Sequence, residues 1–446
     1  MSKNGIEIWS RISIKTSKGT FKGIVIPRGE QGDENHLILK LSNGYNIGIN
    51  IQDIEEIKII EQLNIEYKIP DKSYKKNPNK PTVTLLGTGG TVASKLDYVT
   101  GAVLPAFTSQ ELFNAIPELQ DICNLETKQL FQILSENIKP DNWITIANEI
   151  ANQIETINPT GIVVAHGTDT LHYTSAALSF MLKNINFPII FVGSQRSSDR
   201  PSSDAAINLI SSVQAATLSD IAEVVVCMHG QTGDSYNLLH RGTRVRKMHT
   251  SRRDAFKTIG DSPLAKIKNG KIIPTGINYN KRKAKQANLE TDILMDKKVG
   301  LLYFYPGLNS EIIDYYIDKQ YSGLVFAGTG LGHISQDLLP SVKRAKEENI
   351  PLFMTSQCLW GFTGMNVYET GRLLLREGVI PLANMLPETA LVKAMWVLGH
   401  TKEIPFVKEL MQRNLAGEIT QSERFEDYLV LQGKLDKGLM KLLEKE

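Results

Sequence analysis

The chain has 446 residues, 41% of them hydrophobic and 22% charged, and fifty basic against forty-eight acidic residues leave a formal net charge of +2. Such a composition excludes a disordered tail, a collagen-like rod and a disulfide scaffold. At roughly 100–200 residues per domain, the length implies two to four domains, and the balanced charge by itself points to no partner. Cys123, Cys227 and Cys358 lie far apart and outside any CxxC pair, the pattern of a reducing compartment. No segment has the apolar length of a signal peptide or the roughly eighteen residues of a membrane span. A soluble, cytoplasmic protein without membrane association is therefore expected.

Residues 1–60 read as short strands rich in Ile, Val and Tyr, and Asn43-Gly44 stands between two of them as a hairpin signal. A small all-β barrel of SH3- or Sm-like type is predicted there. Residues 61–81 break the pattern with Pro70, Pro78, Pro81 and five lysines, and read as a linker. From Thr82 strands alternate with helical segments. Continuously apolar strands such as GIVVA, PIIFV and EVVVC between helices predict mainly parallel sheets covered on both faces. A polar, lysine-rich stretch separates two such α/β units, predicted at 82–285 and 298–446, the second ending in a helical tail. The fold class is thus α/β, two α/β domains preceded by a small all-β barrel.

In open α/β sheets, ligands bind where strands end and loops begin. Gly87-Thr88-Gly89-Gly90-Thr91 follows one strand directly. Its adjacent glycines allow backbone N–H groups to approach an anion or oxyanion, though a plain tight turn has the same look. The segment lacks the Gly-Lys-Ser/Thr of a P-loop and the third glycine of GxGxxG. His166-Gly167-Thr168-Asp169-Thr170 follows a second strand, with Asp169 at a helix start where a carboxylate would also serve as a cap. Between Arg241 and Arg253 cations crowd together. They fit a solvated face, an anion site or a nucleic-acid backbone contact. A lysine buried among them would have its ammonium form disfavoured and could accept a proton. The histidines show no metal-ligand spacing, and Cys358 has no base beside it, so no metal site and no thiol nucleophile is predicted.

Taken together, TGGT at 88–91, HGTDT at 166–170, a downstream lysine and GLVFAGTGLGHI at 323–334 resemble the bacterial-type L-asparaginase family over about residues 82–400. The extra β segment at 1–60, with GTGGTVASKLDYVTGAVLPAFT and RGTRVRKMHTSRRDAF, resembles a narrower group, the archaeal glutamyl-tRNA(Gln) amidotransferase D subunits. The resemblance implies Thr91 as nucleophile and Thr168, Asp169 and Lys247 as a second threonine–acid–lysine set. Lys247 is preferred to Lys257 on its distance to Phe256. It further implies Tyr98 as a residue closing over substrate, Ser135 and Glu136 as ligands of the substrate's α-amino and α-carboxylate groups, and Gly90 and Gly167 beside them. The implied activity is glutamine hydrolysis through a threonyl ester, the ammonia converting Glu-tRNA(Gln) to Gln-tRNA(Gln). The implied partner is the E subunit of the same amidotransferase, with a homodimer of this chain inside a heterotetramer. No cofactor is expected on this chain, which shows no nucleotide-binding signature; ATP and Mg are expected on the partner. A stand-alone L-asparaginase of amino-acid catabolism is the alternative, and an RNA-binding module without catalysis a third.

Overall fold

The computed structural model describes residues 6, 10–26, 35–42, 46–62, 76–90, 94–96, 103–105, 112–113, 116–197, 202–283, 288–424 and 427–428. Thr91 and Tyr98 lie outside the described residues, as does the Asn43-Gly44 turn.

The first unit is antiparallel. Strands β1 (Ser10–Thr16), β2 (Gly19–Val25), β3 (His36–Leu41), β4 (Asn46–Asn50) and β5 (Ile54–Gln62) form one sheet in the order β4-β3-β2-β1-β5. Side chains alternate across a pleated strand, so one face of the sheet gathers Ile12, Ile14, Val25, Leu37, Leu39 and Ile49 into a small core. The end strands β4 and β5 do not pair with each other among the described residues. Glu55, Glu56, Lys58 and Glu61 leave β5 a charged edge, which discourages unwanted strand addition. Because β5 continues to Gln62, the first residues of the predicted linker belong to this sheet. The linker's far end is docked. Asn124 accepts from Asn77 N–H (2.8 Å) and donates to the carbonyls of Asn77 (2.8 Å) and Lys80 (2.9 Å).

The central sheet follows from strands β6 (Thr82–Gly87), β7 (Asn124–Gln129), β8 (Gly161–Ala165), β9 (Ile189–Val192), β10 (Val224–His229) and β11 (Asn237–Arg241). After these come the hairpin β12 (Val245–Lys247) and β13 (Phe256–Thr258), then β14 (Ala265–Lys268) and β15 (Lys271–Pro274). Eight of them make one sheet in the order β15-β14-β11-β10-β9-β8-β6-β7. β7, β6, β8, β9 and β10 are parallel, while β11, β14 and β15 extend the sheet antiparallel. Helices α1 (Leu119–Ile122), α2 (Pro140–Thr156), α3 (Leu171–Met181) and α4 (Ala205–Leu218) lie between strands. Along β8, Ile162 and Val164 enter one core layer and Val163 and Ala165 the other, so helices cover both faces.

The second α/β unit is a four-stranded parallel sheet of β16 (Val299–Tyr303), β17 (Gly323–Gly328), β18 (Leu352–Ser356) and β19 (Ile380–Pro381). Helices α5 (Glu311–Asp318), α6 (Leu339–Glu347), α7 (Glu369–Arg376), α8 (Pro387–His400) and α9 (Ile404–Gln412) accompany it. One hydrophobic cluster spans both units. It joins Leu171, Leu178 and Phe180 of α3 to Val392, Trp396 and Val397 of α8, and to Val325 and Phe353 beneath. No helix among the described residues is long and apolar enough to cross a membrane. Burial pushes the Cys123 and Cys227 thiols up to about 12, which leaves both inert.

Candidate active site

The chain runs from β6 outward to β7, then returns across β6 to add β8 on the other side. The order therefore reverses between β6 and β8, and at such a switch point open α/β sheets place their binding crevice, at the carboxyl ends of the strands. The two hydroxyl-rich segments of the sequence are the loops that leave those strand ends.

Glycine lets these loops touch. Gly90 has φ +82°, and a Cβ on it would lie 2.8 Å from Gly167 N. A Cβ on Gly167 would in turn lie 2.8 Å from the Ser135 side chain. Thr88, buried, ties the loops from below by donating both N–H (3.0 Å) and hydroxyl (2.9 Å) to Ala165 O. A Gly90→Ala chain is therefore expected to fold while losing about 10²-fold in turnover, the typical cost of displacing catalytic groups by about 1 Å. Steady-state kinetics beside a thermal unfolding curve checks this.

Across the crevice stands the β12–β13 hairpin, whose register pairs Lys247 with Phe256. Lys247 Nζ donates to Thr168 Oγ1 at 2.8 Å and to Asp169 Oδ1 at 2.9 Å. The Lys247 side chain is only 12% exposed, whereas that of Asp169 is 65% exposed. The structure thus brings Thr168, Asp169 and Lys247 into one cluster. Lys257 is engaged elsewhere, with Asp254 at 3.3 Å. Ser135 is buried beside the cluster: its Oγ accepts from Asp169 N–H (3.2 Å) and its carbonyl from the Thr170 hydroxyl (2.6 Å). Glu136 is exposed at the next position.

The basic segment dissolves into internal pairs. Arg241 meets Glu223 (2.8 Å), Arg246 meets Glu388 (3.0 Å), Arg252 meets Asp254 (2.8 Å) and Arg253 meets Asp234 (2.6 Å). Buried Arg244 donates to the carbonyls of Asn384 and Glu418. Cations paired with carboxylates, or buried as Arg244 is, offer little to a phosphate backbone. Glu388 is the residue that sequence reading passed over. Buried at the start of α8, it faces Arg246 and lies 3.7 Å from His172 Nε2, so it links the second unit to β12, which carries Lys247, and to α3, which follows Asp169. Burial raises its carboxyl pKa, with Arg246 opposing. Only a helix-start signal, Pro387-Glu388, marks it in sequence.

Burial also holds three imidazoles neutral, pushing His166 down to about 4 and His172 and His240 to about 3. The unfolded chain takes up these protons near pH 6.5, at about the free imidazole value. Between that pH and the folded values the unfolded state binds more protons, so stability falls as the solution is acidified. Unfolding midpoints recorded from pH 7 to pH 4 should drop steadily through this window.

Family models agree with this architecture. "Asparaginase, N-terminal" matches residues 82–278, "Glutaminase/Asparaginase C-terminal domain" matches 298–411, and "GatD N-terminal domain" matches 6–60. The thermostable L-asparaginase from Thermococcus kodakarensis superposes with a TM-score of 0.69 at 32% identity, covering 76% of this chain and 100% of that one. The fold is that of the asparaginase class of α/β proteins. The glutamyl-tRNA(Gln) amidotransferase D subunits of Pyrococcus horikoshii (53% identity; 92% of this chain, 93% of the relative) and Pyrococcus furiosus (51%; 96% and 99%) match almost end to end. The chain belongs to the family of glutamyl-tRNA(Gln) amidotransferase D subunits.

Proposed function

We propose that this chain is the glutamine-hydrolysing component of a tRNA-dependent amidotransferase, supplying ammonia for the conversion of Glu-tRNA(Gln) to Gln-tRNA(Gln). The observation that carries this is the extent of the likeness. The solved L-asparaginase is covered in full yet leaves 24% of this chain unmatched, whereas the D-subunit relatives extend over 92–96% of it. The stand-alone asparaginase alternative leaves the N-terminal β unit without a purpose.

A carboxamide is a poor electrophile, and a threonine hydroxyl is a poor nucleophile until a base takes its proton. In the proposed reaction Thr91 Oγ attacks the glutamine side-chain amide. Its proton passes through Thr168 to Lys247, which is oriented by Asp169. The tetrahedral oxyanion is met by backbone N–H groups of the two strand-end loops. Collapse breaks the C–N bond, and the leaving nitrogen takes a proton to depart as ammonia. Water, deprotonated by the same base, then hydrolyses the threonyl ester and returns the hydroxyl. Ser135 and Glu136 hold the α-carboxylate and α-amino groups, and Tyr98 closes the site. Activation of tRNA-bound glutamate, with ATP and Mg, is assigned to a partner, the amidotransferase E subunit, this chain acting as a homodimer within a heterotetramer.

The test is ammonia release from glutamine by the chain alone and with the E subunit and Glu-tRNA(Gln). Stimulation by both supports the proposal. Full activity of the isolated chain, unaffected by either addition and favouring free asparagine, sinks it in favour of the catabolic enzyme.

A further inference from the structure

We propose that His166 is a positioning residue that locks the Gly167–Thr168 peptide with its N–H turned out of the core, where it serves as an oxyanion donor, an inference that rests on the hydrolytic reading above.

His166 is wholly buried directly after β8, and each ring nitrogen has one neighbour. Nδ1 lies 2.6 Å from Gly167 O and Nε2 lies 2.9 Å from Thr174 Oγ1. Thr174, on α3, also receives a hydrogen bond from the indole N–H of Trp143 on α2, at 3.1 Å. For a neutral imidazole these contacts allow one arrangement of protons. A carbonyl oxygen accepts only, so Nδ1 must carry the ring proton and Nε2 must be the acceptor. An indole N–H donates only, so the Thr174 oxygen accepts from Trp143 and its own proton goes to Nε2. The result is a one-way chain from Trp143 through Thr174 and His166 to Gly167 O, and it requires a neutral imidazole. Burial supplies that condition by pushing His166 down to about 4.

The chain ends on the carbonyl of one particular peptide. In a trans peptide the C=O and the following N–H point in opposite directions, and no cis bond occurs among the described residues. Holding Gly167 O inward therefore turns Thr168 N–H outward, on the residue whose hydroxyl Lys247 contacts. Among the described residues that N–H makes no hydrogen bond. A backbone donor without a partner among the described residues, held by a buried relay, is a preorganised electrostatic group; it requires no reorganisation when charge develops on the substrate oxygen. Without the relay no other hydrogen bond among the described residues holds Gly167 O inward, and glycine offers no side chain to resist a turn of that peptide.

The test compares wild type with His166→Gln, His166→Asn and Thr174→Val, as full chains in complex with the partner protein. The readouts are kcat and KM for glutamine and the thermal unfolding midpoint. Gln places its amide near the former Nε2 and leaves Gly167 O without a donor. Its kcat should fall about 10²–10³-fold, the usual cost of one oxyanion donor, at nearly unchanged KM. Asn places an amide nitrogen near Nδ1 and should restore most of the turnover, which a merely space-filling role would not allow. Thr174→Val releases the tautomer and should lower kcat with the same split. It also decides the matter should His166→Gln fail to fold. Wild-type kcat in folded His166→Gln or in Thr174→Val overturns this inference alone. A wild-type complex inert toward glutamine overturns the functional reading, and this inference with it.

Discussion

Replacing Lys247 by methionine should lower glutamine hydrolysis by about 10³-fold or more while leaving the unfolding midpoint almost where it was, since a positioned general base contributes roughly 10²–10⁴-fold. The two readouts separate for a physical reason. Lys247 makes two polar contacts, to Thr168 Oγ1 and Asp169 Oδ1, and the acid is largely exposed. Ion pairs with so wet a partner contribute little to folding, typically about 0–1 kcal/mol. Their removal therefore touches chemistry rather than stability. Arginine should not rescue the loss, because a guanidinium stays protonated and cannot take a proton from a hydroxyl. Initial rates of ammonia release from both variants, beside their melting curves, decide the point. A Lys247→Met chain retaining native turnover would remove the base from the mechanism.

The largest effect on stability should come from a different lysine. Lys393 of α8 and Glu418 are both fully buried, 2.5 Å apart. The ammonium also donates to the carbonyls of Met411 (3.1 Å) and Arg413 (2.5 Å), while the carboxylate accepts the N–H groups of Leu415 and Ala416. Burial lowers the Lys393 pKa, with Glu418 opposing. Glu418→Gln thus leaves a buried cation without its counter-charge, and such losses cost about 3–5 kcal/mol. The deficit should narrow as pH rises, because the stranded ammonium can then shed its proton. Urea unfolding at pH 7 and pH 9.5 measures both effects. A cost under about 1 kcal/mol would show that the pair is dispensable.

What could be read beforehand was whatever local pattern encodes. Apolar strands between helices announced the parallel sheet, and two glycine- and threonine-bearing loops announced the strand ends. Long-range partners were not legible. Arg244 and Arg246 look like any other cations in a basic run, yet one is sunk against carbonyls from the second unit and the other faces Glu388. Those contacts join residues more than 130 positions apart, and no periodicity carries such information. His166 carries no metal-ligand spacing, and nothing further about it is legible in the sequence. Its particular neighbours, Thr174 and Trp143, depend on how α3 and α2 lie across the sheet. The N-terminal β unit was foreseen as a barrel from composition; that its end strands stay unpaired among the described residues depends on register, which composition does not set.

The continuous apolar cluster beneath α3 and α8 constrains how a reactant can enter. Two halves that share packed side chains cannot swing apart like jaws without exposing Phe180, Trp396 and their neighbours to water. Opening that seam would forfeit their burial, so substitutions there should lower stability before they alter turnover.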